Sequence, residues 1–313
     1  MNSDRAQVLV PTVRRQFDAR AARFAEHDAL VREAGNRLIE RLSVLRHAPA
    51  RILDLGCGAG RGRAALQARF PDAQVFGADL SEAMLRADPG RGGRAAPKGS
   101  WHWRSLLSPR SAPAAPTVCA DAGQLPWPDE SIDLVFSNLM LPWHPAPHEV
   151  IAEVSRVLRP GGLVLFSAYG PDTLQELRAA CVRAGMATRP MPYVDMHDFG
   201  DMLVTAGFET PVTESETLRL TFGGAKPLLT EVRALGANPR ADRARGLPSG
   251  RVGRALHAEL DALRNGEGRI RLTFEIVIGH GWRGTPRPQN AVSGLATVAM
   301  PEPGRERRAA SSY

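Results

Sequence analysis

Between residues 51 and 66 the chain reads RILDLGCGAGRGRAAL. An apolar run of strand length carries one acid, Asp54, then meets Gly56, Gly58 and Gly60 before residues that suit a helix. A strand that turns into a helix over glycines can press its backbone N–H groups against a ligand, because no side chain intervenes. The spacing narrows the choice. A dinucleotide fingerprint, G-x-G-x-x-G/A, would put Arg61 at its third glycine, where close helix–strand packing tolerates almost no side chain. That reading fails, which leaves the pattern hhDhGxGxG or a merely tight strand-to-helix turn.

The rest of the chain continues the alternation. Apolar strand-length runs at 73–80, 116–121, 132–138 and 163–169 alternate with helical patterns at 60–69 and 148–158, the latter stopped by Pro160-Gly161-Gly162. Such an order predicts an α/β fold, a mostly parallel sheet with helices on both faces. Two alternating stretches, SETLRLTF and IRLTFEIVIGHGW, read as an antiparallel pair closing the sheet, with helices near 225–236 and 249–264 between them. Another helix, in DMHDFGDMLVTAGF, ends at Gly207. Upstream, Val13, Phe17 and Phe24, then Leu38, Leu42 and Leu45, recur at helical spacing and predict two helices over 12–45. The stretch 87–116, rich in Pro, Gly, Ser and Arg, is too long for an ordinary connection and reads as a flexible insertion. A similar composition makes 284–313 a disordered tail.

Composition excludes several classes. No run approaches the roughly 18 apolar residues of a membrane span, and no apolar signal core stands near the N-terminus. Cys57, Cys119 and Cys181 lie far apart, which argues against a disulfide framework. A cytoplasmic protein is expected. The net charge of +7 could steer an acidic partner, yet only Lys98 and Lys226 among the 40 basic residues are lysines, so a compositional arginine bias explains it equally well. Arg243, Arg245, Arg251 and Arg254 are the residues such steering would use. Neither a basic groove with interleaved aromatics nor a zinc-knuckle spacing points to nucleic acid. His144 and His148 stand four apart, but Pro145 and Pro147 rule out the helix that would aim both at one metal. Asp195, His197 and Asp198 read as an N-cap and first helical turn, so no metal is expected.

Three further polar residues fall at strand ends. Asp79, about 20 residues past the glycines, can accept hydrogen bonds from both hydroxyls of a ribose, or cap the helix that starts near Ser81. Asp121 is placed to take an adenine amino group, and Asn138 ends a central strand, where open α/β sheets bind ligands. With the glycine turn, all lie on one sheet edge.

This constellation resembles class I S-adenosylmethionine-dependent methyltransferases. The blocks RRQFDARAARFAEHDALVREAGNRLIERL, SNLMLPWH, SRVLRPGG, GPDTLQELR, FGGAKPLLTEVRALGAN and LTFEIVIGHGW resemble, more narrowly, the malonyl-[acyl-carrier protein] O-methyltransferases of biotin synthesis, over about residues 12–283. The resemblance implies a Rossmann-like fold with a seven-stranded sheet, its last strand antiparallel. It implies a helical lid over 1–48 and a methyltransferase domain over 49–283. S-adenosyl-L-methionine would be held by Asp54, Gly56, Cys57, Gly58, Gly60, Asp79, Leu80, Asp121, Ala122 and Asn138. The chain would act as a monomer on malonyl-acyl-carrier protein or malonyl-coenzyme A, with no nucleic acid and no membrane. Phe24 replaces a tyrosine usual in the family, and Pro142 and His144 flank Trp143 where polar and thiol side chains are usual. Trp143 reads as a wall of the acceptor pocket or as core. Arg178 is the expected clamp for the acceptor carboxylate, or else an exposed helix arginine. A related branch, linked to respiratory complex I assembly and arginine modification, shares the DTLQELR-like block, and another small acceptor is a further alternative.

Overall fold

The computed structural model describes residues 8–285, apart from 46, 90–115, 187–190, 192, 237 and 241–249. The expectations for the insertion and the tail therefore lie almost wholly outside the described residues, as do Arg243 and Arg245. Arg251 and Arg254 stand exposed.

Seven strands form one sheet in the order β3-β2-β1-β4-β5-β7-β6. They are β1 (Arg51–Leu55), β2 (Gln74–Asp79), β3 (Thr117–Cys119), β4 (Ile132–Asn138), β5 (Leu158–Tyr169), β6 (Phe208–Phe222) and β7 (Ile270–Arg283). The first five pair in parallel, and β7 runs antiparallel to both β5 and β6. The single antiparallel strand is the last in sequence, as expected. Strand order reverses between β1 and β4, which opens a crevice beyond their carboxyl ends.

The central strands are apolar because both faces are covered, whereas the edge strand β6 is polar and has only Phe208 buried. Along β4, Leu134 and Phe136 join one buried cluster and Ile132 and Val135 the other. Against the first face pack α2 (Ala29–Val44), α3 (Arg61–Arg69), α6 (Gln175–Arg183), α8 (Ala225–Leu235) and α9 (Gly250–Asp261). Against the second pack α5 (Pro147–Val157) and α7 (Met196–Thr205). Asp195 caps α7, its Oδ1 accepting from the His197 backbone N–H at 2.8 Å. Among the described residues no helix is long and apolar enough to cross a membrane.

Two local expectations need correction. Pro160-Gly161-Gly162 does not stop α5, which has already ended at Val157; the three residues lie inside β5. Pairing with β4 jumps from Ile132↔Leu158 to Leu134↔Leu163, so the turn-forming residues bulge out of a continuing strand. The N-terminal segment, read as two helices, holds three pieces: α1 (Val10–Asp18), a 3-10 helix at Ala21–His27, and α2. Proline at the start of α1 fits the first helical turn, where its missing N–H costs nothing.

Candidate functional site

The glycine turn is pinned to the end of β2. Gly56 and Cys57 donate their N–H groups to the Ala78 carbonyl at 2.8 and 3.1 Å, and Gly60 donates to Cys57 O at 2.9 Å. Gly56, Gly58 and Gly60 take φ of +77°, +53° and +79°, and Gly60 serves as the N-cap of α3. A Cβ at Gly60 would overlap the carboxyl of Asp88, which is buried and paired with Arg63 at 2.7 Å. The turn is thus closed at Gly60 by an ion pair, and at Gly56 the Met140 side chain stands where a Cβ would go.

Asp79 organises the neighbouring loop. Its Oδ2 accepts from Gly58 N and its Oδ1 from Ser81 N, each at 2.8 Å. The helix cap is Ser81, whose Oγ accepts from Met84 N at the start of α4 (Glu82–Ala87), so the capping role weighed for Asp79 falls to its neighbour. Burial pushes the Asp79 carboxyl up from its usual range, and the two backbone donors oppose that shift. Asp54, at the end of β1, is more extreme. Burial pushes it up to about 7, with the nearby carboxylates of Asp79 and Asp88 adding to the shift and Arg63 opposing it. Its buried Oδ2 has no hydrogen-bond partner. Cys57 is buried and its thiol is pushed far up by the same burial, so it is an inert part of the wall.

Asp121 follows β3, accepting from Gly123 N at 3.0 Å and lying 3.1 Å from His144 Nε2. Because His144 Nδ1 accepts from Ala146 N at 3.1 Å, the ring proton belongs on Nε2 and points to Asp121. Sequence reasoning weighed His144 only as a metal ligand and as a departure from the family; here it fixes Asp121 instead. Asn138 is engaged at both ends, donating Nδ2 to Val31 O and accepting from Ser167 Oγ, each at 2.8 Å. It ties α2 to the sheet edge.

The N-terminal helices pack over this edge. Phe17 meets Phe24 at 6.5 Å between ring centroids and Trp143 at 5.3 Å, the latter edge-on. Asp18 Oδ1 accepts from Ser81 Oγ at 2.6 Å, Asp28 pairs with Arg61 at 2.5 Å, and His27 lies 2.7 Å from Glu231 on α8. Sheet and N-terminal helices together line a cavity of 1290 Å³. Asp54, Gly56, Cys57, Gly58, Gly60, Asp79 and Leu80 line it on one side. Asp121, Ala122, Asn138, Trp143 and Phe24 line it as well. The expected cofactor residues therefore meet in one space.

Arg178 does not join them. Its two terminal nitrogens donate to Thr173 O at 2.8 Å and Pro171 O at 2.6 Å, and it lies outside the cavity wall. The clamp expected of it is corrected to a brace for the loop after β5. Arg178→Ala is expected to leave ligand binding in the cavity unchanged and to lower stability by about 1–2 kcal/mol, the range for a partly exposed charged donor to backbone; thermal denaturation and calorimetry read the two separately. The arginines that do line the cavity are Arg32, Arg61 and Arg63. Arg61 and Arg32 both face one carboxylate, Asp28, at 2.5 and 3.9 Å.

The donor set fits a nucleoside with an amino-acid tail. A carboxylate at the end of β2 suits ribose hydroxyls, and a second after β3 suits an exocyclic amine. The orphaned Asp54 oxygen suits an ammonium, and the bare glycine turn admits the backbone of the tail. The space exceeds the roughly 300–1,000 Å³ of an ordinary small-molecule pocket, which leaves room for a second reactant.

Comparison with known proteins agrees with this geometry. Residues 53–166 match the family model described as a methyltransferase domain. The malonyl-[acyl-carrier protein] O-methyltransferase of Laribacter hongkongensis is 44% identical over 88% of this chain and 90% of its own length. That of Halorhodospira halophila is 41% identical over 89% and 90%. Among solved structures, the YcgJ protein of Bacillus subtilis superposes with a TM-score of 0.52 at 16% identity, covering 81% of this chain and 99% of its own, a likeness of fold alone.

Proposed function

The chain belongs to the malonyl-[acyl-carrier protein] O-methyltransferases, and on that premise we propose that it converts the free carboxyl of a malonyl thioester on acyl-carrier protein to its methyl ester, with S-adenosylmethionine as donor. One observation carries the reading. The cavity runs unbroken from the glycine turn and Asp79 to the aromatic chamber of Phe17, Trp143 and Tyr169, so donor and acceptor can share one space.

S-adenosylmethionine supplies an electrophilic methyl group on a sulfonium. The protein's own part is to hold and to exclude. Gly56, Gly58 and Gly60 admit the amino-acid tail, Asp79 takes the ribose hydroxyls, and Asp121, fixed by His144, faces the base. Asn138 and the Asp18–Ser81 bond keep the lid seated on the sheet. A malonyl carboxylate is already an anion at neutral pH, so it needs no general base to become a nucleophile. The chamber is in keeping with that. Asn138 has both ends engaged, and burial pushes the Tyr169 phenol far up, so it stays neutral. Rate acceleration then comes from in-line placement and from exclusion of water around the carboxylate.

The test supplies methyl-labelled S-adenosylmethionine with malonyl-carrier protein and follows the label. Label should appear in a base-labile methyl ester on the thioester, and rising salt should slow the reaction with the acidic carrier protein more than with a short malonyl thioester. Label absent from the thioester, or found on protein arginines, would overturn the reading.

A further inference from the structure

Behind the indole of Trp143 lies a second void of only 20 Å³, bounded also by Tyr169, Thr173, Tyr193, Leu235 and Phe274. Trp143, Tyr169 and Leu235 border both this void and the main cavity, and the indole is the bulkiest of the three side chains between them. The ring is wedged in place. Phe17 of the lid packs edge-on at 5.3 Å, while a Cβ at Gly236 would overlap the far edge of the indole. The backbone after α8 therefore presses directly on the ring, and only glycine at 236 permits it. Tyr169 sits between Tyr193 and Phe274, with ring centroids 5.6 and 6.3 Å away. The void is walled largely by aromatic and aliphatic groups and is about the size of one water.

Resting on the proposed function, we infer that Trp143 sets the length of diacid that the enzyme accepts. The acceptor is fixed at two points, its carboxylate at the donor methyl and its arm at the carrier protein outside. A malonyl unit has one methylene between its carbonyls and spans that distance without slack. Each added methylene must fold aside into free space, and the space beside the chamber is filled by the indole. Removing the ring joins the small void to the main cavity and gives the extra carbons somewhere to go. Exclusion by a wall of this kind discriminates more sharply than a loosely fitting pocket, where one methylene is worth about 10–200-fold.

The experiment compares methyl transfer to malonyl-, succinyl- and glutaryl-carrier protein by the wild type and by Trp143→Phe, Trp143→Leu and Trp143→Ala. The wild type should strongly prefer malonyl. The ratio of kcat/KM for glutaryl over malonyl should rise as the side chain shrinks, by at least about tenfold in Trp143→Ala. S-adenosylhomocysteine affinity should stay within about twofold, because the glycine turn and Asp79 are untouched. Trp143→Phe keeps an aromatic ring against Phe17, so it gives a folded variant even if the alanine protein is unstable, and it should show an intermediate ratio. A wild type that methylates malonyl- and glutaryl-carrier protein equally, or a ratio unmoved in the variants that bind S-adenosylhomocysteine, would overturn the inference. A wild type that methylates none of the three would instead defeat the proposed function.

Discussion

Gly60→Val is expected to abolish measurable S-adenosylhomocysteine binding and to lower the melting temperature together. Gly60 holds φ +79°, where a β-branched residue is a genuine outlier and the strain alone costs about 1–2 kcal/mol. Sterics add more. The new Cβ would overlap the Asp88 carboxyl, whose side chain is 4% exposed and bonded to Arg63 at 2.7 Å. If Asp88 yields, a buried ion pair breaks, at roughly 3–5 kcal/mol. If the turn yields instead, Gly56, Gly58 and the start of α3 move away from the ligand. The first route removes on the order of 3 kcal/mol or more from the folded state and lowers the melting temperature, and the second, at a similar loss from the bound state alone, lowers affinity roughly a hundredfold. Gly161→Ala separates strain from clash: φ there is +76°, but nothing lies within 4 Å of the position a Cβ would take. That control should lose a little stability and bind normally. Normal binding by Gly60→Val would remove the glycine turn from the ligand site.

Much of this site was legible because it is local in sequence. Asp54 through Gly60 occupy a single turn, Asp79 and Asn138 each end a strand, and Asp121 stands two residues past one, positions that strand order alone places on one edge. What was not legible depends on contacts between distant segments. Asp28 reads as an ordinary residue before a helix until Arg61, over 30 residues on, arrives against it. His144 gains its role only because Asp121 stands opposite. Arg178 carries the right charge in a block shared with the family, yet its guanidinium turns back to carbonyls five and seven residues upstream, which spacing does not reveal. Pro160-Gly161-Gly162 is a strong local stop signal, but β5 pairs with β4 at Leu158 and again from Leu163, which carries the strand across it.

Affinity for S-adenosylhomocysteine should rise with pH up to about 7 and then level off, with Asp54 as the cause. In the free protein its carboxyl is pushed up to about 7, chiefly by burial, with Asp79 and Asp88 adding and Arg63 opposing. Below that value it is protonated and neutral. The ligand brings an ammonium, and the buried Oδ2 without a partner is the acceptor that suits it. A cation at that oxygen favours the carboxylate and lowers its pKa. Binding at about pH 6 must therefore expel a proton, and affinity should fall by up to tenfold for each pH unit below 7. Stability follows the same linkage. A carboxyl raised from 3.8 when unfolded to about 7 when folded contributes stability at low pH that is lost as pH rises through that window. The ligand, by pairing with the ionised form, cancels that loss, so the melting-temperature gain on adding it should grow between about pH 5 and 7. Asp79 is also raised by burial, so Asp54→Asn isolates the cause: it should bind weakly, with the pH slope largely gone. Calorimetry at about pH 6 in two buffers of different ionisation enthalpy should count close to one proton released by the wild type and nearly none by Asp54→Asn. Equal wild-type affinities at about pH 5.5 and 7.5 would mean that the ligand's ammonium is held elsewhere and that the orphaned oxygen plays no part in binding.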